Sequence, residues 1–399
     1  MLPARWRTPT CILLAACLIL TLSMGVRHTA GLFLQPMTQD QGWSREAFSF
    51  AIALQNLLWG LASPFAGAFA DRVGAGRTLA VCALLYGLGL VGMAHAGSAA
   101  GLNLSAGLLI GLGLSGTTFA VVMGVVGRHV PPARRSLALG LVSAGGSFGQ
   151  FAVLPVGQAM INAWGWQAAL LWLALGVGMI APLAALLADG PARATPGGQQ
   201  SLGQALREAL TQPSFHLLFW SYGVCGFQTA FIMLHLPAYL MDRGYNANVG
   251  MTAVALIGLF NIFGSFLFGW WGGFASKKKL LVLIYAARIA AVLMLLHLPI
   301  GLPGVWLFAA LMGLLWLATV PLTNGLIAQI FGLRYLSMLA GGVFLGHQLG
   351  SFLGAWMGGR IFDQSGSYGL AWAWVIGLSV LAAALAWPIN ERPLRQESP

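Results

Sequence analysis

Runs of some twenty or more mostly apolar residues recur along the whole chain. Each is long enough to cross the roughly 30 Å hydrocarbon layer of a bilayer as one helix. They fall near 10–34, 46–70, 78–96, 101–127, 136–160 and 166–188, and again near 214–240, 248–274, 280–300, 303–330, 337–358 and 370–389. Between the two sets lies the longest polar stretch, "ADGPARATPGGQQSLGQALREALTQP". Only 7% of the 399 residues are charged, against about 25% in soluble domains. So little charge cannot clothe a water-facing surface, and the chain is expected to live in a membrane. The first run is too long for a signal-peptide core and similar runs follow it, so a cleaved leader is not expected.

The basic residues set an orientation. Followed through alternate loops, one side carries Arg5, Arg7, Arg72, Arg77, Arg128, Arg134, Arg135, Arg193, Arg207, Lys277, Lys278, Lys279, Arg334, Arg392 and Arg395. The other carries Arg45, Arg243 and Arg360. Basic loops stay on the cytoplasmic side, so both termini and the central loop are expected there, in a multi-pass protein of the cell (inner) membrane. The formal charge of +11 then faces anionic lipid headgroups, and a nucleic-acid partner is not expected. Cys11, Cys17, Cys82 and Cys225 all sit in apolar runs without ligand or disulfide spacing, and read as inert buried thiols.

The halves resemble each other. "LQNLLWGLASPFAGAFADR" in span 2 compares with "LFNIFGSFLFGWWGGFASK" in span 8 at an offset of 205, pairing Asn56 with Asn261 and Gly67 with Gly272. "GLVSAGGSFGQF" in span 5 compares with "GGVFLGHQLGSF" in span 11 at an offset of 201. Thr21, His28 and Gln35 form one helical stripe in span 1, and Ser221, Gln228 and His235 repeat it in span 7. The 54 glycines suit closely packed membrane helices.

A parallel repeat of two six-helix halves resembles the major facilitator superfamily. The loop "GAFADRVGAGR" is similar to that superfamily's G-x-x-x-D-R-x-G motif followed by basic residues, through Gly67, Asp71, Arg72, Gly74 and Arg77. The resemblance implies an all-α membrane protein with twelve transmembrane helices in two pseudo-symmetric bundles. These would be 1–188 and 214–399, joined by a cytoplasmic linker over 189–213. It also implies that Asp71 and Arg72 latch the halves together in the outward-open state, and Arg128 is a candidate partner for Asp71. "GLFLQPMTQDQGWSREAFSFAIALQNLLWG" resembles the bacterial relatives of monocarboxylate transporters and oxalate–formate exchangers. The span 8 aspartate–arginine pair usual in monocarboxylate transporters is replaced here by Asn261 and Ser265.

All nine acidic residues lie in loops, tails or span ends. Proton-driven export of cationic drugs generally needs an embedded carboxylate, so that activity is not expected. Two cations remain inside spans, Arg27 and Arg288. A charge in hydrocarbon costs at least about 2.5–3.5 kcal/mol, which calls for an anion or water beside it. Span 1 lines the central cavity in the resembled superfamily, so Arg27 is expected to hold an anionic substrate through its two-pronged guanidinium. Snorkelling, or bonding to helix carbonyls, is the competing reading. Span 9 is usually peripheral, so Arg288 stands open between a binding and a structural role. His28, His235 and His347 fall on cavity-type spans, and His28 or the His235 stripe is a candidate to carry a co-transported proton, with neutral core histidines as the alternative. Asn56, Asn261, Gln150, Gln228, Thr323 and Asn324 could orient substrate or tie helices together. Pro155, Pro237 and Pro321 interrupt inner helices.

"GLGLSG" at Gly111–Gly116 fits a dinucleotide loop but lies inside span 4 with no strand before it. No nucleophilic triad or metal-ligand cluster appears, so an enzyme, a metal or a cofactor is not expected. The leading function is a monomeric secondary transporter for a small organic anion, by proton symport or anion exchange. Export of a neutral or amphiphilic toxic compound is the second reading, and a non-transporting sensor or scaffold the third.

Overall fold

A bilayer gives backbone amides no partners, so each spanning segment must satisfy its own hydrogen bonds as a helix. The computed structural model describes residues 8–129, 132–187, 202–297, 301–332 and 336–394, and helices dominate them. Span 1 is α1 (Pro9–His28) followed by α2 (Ala30–Gln41), and span 2 is α3 (Arg45–Val73). Span 3 is α4 (Ala75–Ala94). Span 4 runs through α5 (Ala99–Leu102), a π-helical stretch (Asn103–Leu109), α6 (Ile110–Thr117) and α7 (Phe119–His129). Spans 5 and 6 form one run, α8 (Pro132–Gly178), with a short α9 (Ile180–Ala184) beyond it. Gly165 folds α8 back on itself at φ 81° and ψ 167°, a conformation open to glycine and little else. The amphipathic α10 (Leu202–Thr211) precedes the second half. That half comprises α11 (Pro213–Asp242), α12 (Ala247–Trp271), α13 (Lys277–His297), α14 (Leu302–Leu315), α15 (Thr319–Phe331), α16 (Leu336–Ser365) and α17 (Gly369–Ala386).

Ten of these segments are long and apolar enough to cross a membrane. One of the ten contains the Gly165 fold and so supplies two rods. With the thirty-residue α16, the described helices accommodate the expected twelve. Their boundaries depart from the sequence expectation chiefly in span 1, which continues to Gln41 because the helix restarts after a turn at Thr29. Arg5, Arg7, Arg193, Arg334 and Arg395, and most of the linker, lie outside the described residues.

Local signals explain the helix ends. Thr8, Ser44 and Asn246 cap α1, α3 and α12 by accepting backbone N–H bonds from Cys11, Ala47 and Val249, the ordinary work of such residues at an N-terminus. Gly74, at φ 105°, ends α3.

Two crossings repeat between the halves. In one, α1 packs on the first arm of α8; in the other, α11 packs on α16. A Cβ on Gly149 would strike the Thr21 carbonyl, and one on Gly350 would strike the Gly223 carbonyl. In the same pattern, Tyr86 donates to Ser23 O at 3.2 Å and Tyr285 donates to Ser221 O at 2.7 Å. The span 3 to span 1 tie thus recurs between spans 9 and 7.

The halves meet through α3 on α16, α8 on α12, and α2 on α11. We call the face that carries the ends of the described chain the terminal face, and the other the distal face. Between described residues, the hydrogen bonds that join the halves lie at mid-depth or toward the distal face. The deepest ties are Asn261 to Ser147 and Gln348 to Asn56 O, both at 3.0 Å.

The close crossings predict a graded response to glycine replacement. Gly350→Val should destabilise the solubilised protein by about 3 kcal/mol or more, because backbone and not a yielding side chain is in the way. Gly67→Ala, whose Cβ meets nothing within 4 Å, should hold or raise the melting temperature. Thermal unfolding in detergent measures both.

Candidate functional site

Three spans are interrupted near mid-length, and several of the candidate polar residues lie at those breaks. Span 1 turns at Thr29, just after Arg27 and His28. Span 4 breaks at Thr118, whose backbone is extended at φ −105° and ψ −160°. Span 10 breaks over Trp316–Ala318, between α14 and α15. The breaks in spans 4 and 10 occupy corresponding places in the two halves. Paired interruptions of this kind expose backbone groups where membrane transporters hold their cargo.

Arg27 sits in the last turn of α1, where the helix carbonyl end favours a cation. Its Nη2 donates to Asn56 Oδ1 at 2.6 Å, and its guanidinium carbon lies 4.7 Å from the centre of the Trp59 ring. The buried Nε has no partner. Arg27 also lines a cavity of about 20 Å³ with Thr29, Gln55 and Tyr86. No ion pair joins it to a carboxylate among the described residues. The guanidinium therefore keeps its charge and one donor uncommitted.

From Arg27 a chain of contacts crosses into the other half. Trp59 Nε1 donates to Thr118 Oγ1 at 3.0 Å, fastening span 2 to the break in span 4. The Trp59 ring meets Phe344 edge-on at 5.5 Å, and Phe344 stacks on His347 at 5.7 Å. His347 Nδ1 donates to Gln348 Oε1 at 3.0 Å, and Gln348 Nε2 returns to the Asn56 backbone. Arg27, Asn56 and His347 thus belong to one mid-depth cluster spanning both halves.

Arg288 does not join that cluster's open side. It is fully buried in the second bundle. Its Nη1 donates to Gln228 Oε1 at 2.8 Å, and its Nη2 to the carbonyls of Leu315 and Trp316 at 2.7 and 2.5 Å. It also approaches the Cys225 sulfur at 3.5 Å. These are the carbonyls freed by the break in span 10. Asn261 serves the same break, accepting from the Leu317 N–H at 3.0 Å and donating to Ser147 across the halves. Gln228 is committed to Arg288, Val375 O and Ser379. Gln150 donates to Val254 O across the halves at 3.1 Å. Arg288, Gln228, Gln150 and Asn261 are therefore engaged with protein groups in this conformation, the structural side of the expectation.

The histidines divide similarly. His28 is buried and donates through Nδ1 to Met24 O at 2.6 Å. His235 is fully buried near the distal face, donating from Nε2 to Ala355 O at 2.8 Å and accepting at Nδ1 from Tyr368 at 3.1 Å. Asn324 is exposed on α15, while its neighbour Thr323 is buried. In the loop motif, Gly67 lies within α3 and Gly74 ends it, and Arg72 and Arg77 are exposed. The Asp71 and Arg128 side chains lie outside the described residues, and with them the expected pairing.

Sequence reasoning missed the distal ties. Arg45 binds Asp242 through both oxygens, at 2.7 and 2.8 Å, and donates to Tyr368 at 3.0 Å. Asp363 accepts the backbone N–H groups of Arg45 and Glu46 at 3.1 and 2.6 Å, so a carboxylate of the second half caps the positive end of α3. Glu46 in turn holds Arg360 at 3.3 Å and Trp356 at 2.9 Å. Burial pushes the Tyr368 phenol up to about 12, against the pull of Arg45, so it remains a proton donor at physiological pH.

The profile of the Major Facilitator Superfamily matches residues 14–355. The chain belongs to the Major Facilitator Superfamily. Other superfamily members resemble it over most of their length. The MFS-type transporter YcxA of Bacillus subtilis (strain 168) is 24% identical over 86% of this chain and 85% of its own. Mouse monocarboxylate transporter 11 is 28% identical over 89% and 81%. The fold superposes on a bacterial homologue of the human lysosomal transporter Spinster, inward-facing and unoccupied, at TM-score 0.76 and 18% identity over 95% and 96% of the chains. It superposes on a D-xylose–proton symporter at TM-score 0.75 and 14% identity over 96% and 99%.

The commitments of Arg288 make it a stability residue. Arg288→Leu should lower the melting temperature sharply, since each stranded buried partner costs about 1–3 kcal/mol. Thermal unfolding of the purified variant measures it.

Proposed function

We propose that this protein is a secondary transporter that moves a small, monocarboxylate-like anion by alternating access, with Arg27 holding the carboxylate. One observation carries the reading: the Arg27 guanidinium lies beside the broken spans of the first half, one side chain removed from span 11 through Asn56 and Trp59, with a neutral amide as its hydrogen-bond partner and no carboxylate paired with it among the described residues. A half-buried cation of this kind is stabilised when a guest supplies negative charge, and a carboxylate suits the guanidinium fork. Asn56 and His347 flank the anion from spans 2 and 11. Trp59 and Phe344 give an apolar wall for a short carbon body. Likeness to proteins named monocarboxylate transporters supports the same class.

With the basic loops cytoplasmic, the terminal face is the inner one, and the distal ties close the outer side. The conformation is then inward-facing. The two halves, 1–188 and 214–399, rock about the mid-depth ties while the linker over 189–213 allows the movement. Opening outward requires Arg45 to leave Asp242, and the loop from Gly67 to Arg77 then latches the inner side. The protein acts as a monomer in the cell membrane, driven by proton symport or by exchange of one anion for another.

Arg27→Ala should reduce carboxylate uptake into proteoliposomes at least about tenfold, the loss of one charge-assisted hydrogen bond of roughly 1.5 kcal/mol or more. Arg27→Lys should retain part of it. Unchanged saturable uptake by the alanine variant would remove the anion role. Acceleration by an inward proton gradient without internal substrate identifies symport, whereas dependence on internal carboxylate identifies exchange.

A further inference from the structure

The distal ties do not end at the surface. From Asp242, Arg45 passes to the Tyr368 hydroxyl, and Tyr368 passes to His235, at 2.7, 3.0 and 3.1 Å in turn. His235 closes the row on Ala355 O at 2.8 Å. The row starts at a cross-half ion pair and ends at a completely buried imidazole in α11.

With the ring neutral, its bonding fixes every proton. His235 Nε2 carries one and gives it to a carbonyl, which can only accept. In a neutral ring Nδ1 then accepts, and Tyr368 supplies the proton. The Tyr368 oxygen in turn receives Arg45 Nη1. A second ring proton on His235 would have to point at the Tyr368 oxygen, displacing the phenol proton and setting a second cation beside Arg45. The groups facing His235 offer no relief. Phe231 on α11 and Trp372 on α17 are uncharged neighbours of the relay, and Ala355 and Gly358 present α16 backbone or bare surface. Tyr368 and Arg45 are its titratable and cationic neighbours, with Tyr239 of the same helix packed on the Tyr368 ring and Asp242 and Asp363 beyond, both bound to Arg45.

We propose that His235 is a proton-binding site that opens the distal gate: this closed arrangement has no room for a second imidazole proton, so proton uptake selects the state in which Arg45 has left Tyr368 and Asp242. The inference rests on the alternating-access reading but not on Arg27 or on any particular cargo. Linkage fixes its sign and its ceiling. One proton bound only by the open state raises the open-to-closed ratio as pH falls below the ordinary histidine value of about 6.5, by no more than about tenfold per pH unit. Above that value the gate is insensitive to pH. On the orientation proposed above, an acidic exterior favours the outward-open form.

The experiment places spin labels at Gln39→Cys and Gln364→Cys, exposed positions on opposite halves of the distal face. The native cysteines are replaced, and the distance distribution is read in lipid nanodiscs from pH 8 to pH 5. The expected result is a longer-distance population that grows below about pH 6.5. In His235→Asn, which keeps an acceptor near the Tyr368 hydroxyl but cannot take up a proton at this pH, that growth should vanish while the closed population persists. Tyr368→Phe should enlarge the open population already at pH 8. Equal acid responses in the wild type and His235→Asn would overturn the proposal and leave alternating access standing. A distance fixed in every variant, and also in Arg45→Ala, would overturn both.

Discussion

Inside hydrocarbon a carbonyl released from a helix has no water to turn to. That constraint organises the second bundle. Span 10 stops at Trp316 and restarts at Thr319, and the freed carbonyls of Leu315 and Trp316 are met by Arg288, while Asn261 meets the freed Leu317 amide. The cost of burying the guanidinium is offset by a fork that reaches several acceptors at once. Gln228 then fixes the fork from span 7. One long cation thus lets a membrane helix change direction at mid-depth.

The first bundle solves the same problem without an ion. Span 4 turns at Thr118, and hydroxyls do the work: Thr117 and Thr118 bond back to Gly113 and Leu114, and Trp59 donates to Thr118. Arg27 is therefore not consumed in holding the break, and its charge stays available beside it. The two embedded arginines look alike in sequence and differ in employment because the breaks beside them are satisfied differently.

Much of the fold was legible because the bilayer enforces length, and the repeat doubles the signal: the spans and the crossing glycines follow from periodic apolar runs and the 201-residue register. The site was only partly legible. Arg27, Asn56 and His347 stand out as polar residues in apolar runs, and the structure brings them together. Gln228 and Arg288 stand out in the same way, yet face each other. Nothing in the spacing tells which way around a helix a long side chain reaches, or that its target is a backbone break. The ties of Arg45, Asp242 and Asp363 were hidden for a different reason. Each lies at a helix end, where charge is ordinary, and their partnership joins residues about two or three hundred positions apart.

The cap on α3 has a mechanical consequence. Its two leading amides are held by Asp363, a residue of the opposite half, at a rim where solvent can replace a lost carboxylate. The Gln348 to Asn56 and Asn261 to Ser147 bonds lie deeper, where replacement is slow and costly. Any separation of the halves at this face therefore has a built-in order: it peels from the wet edge toward the dry middle, and the last bonds to hold are the deepest ones.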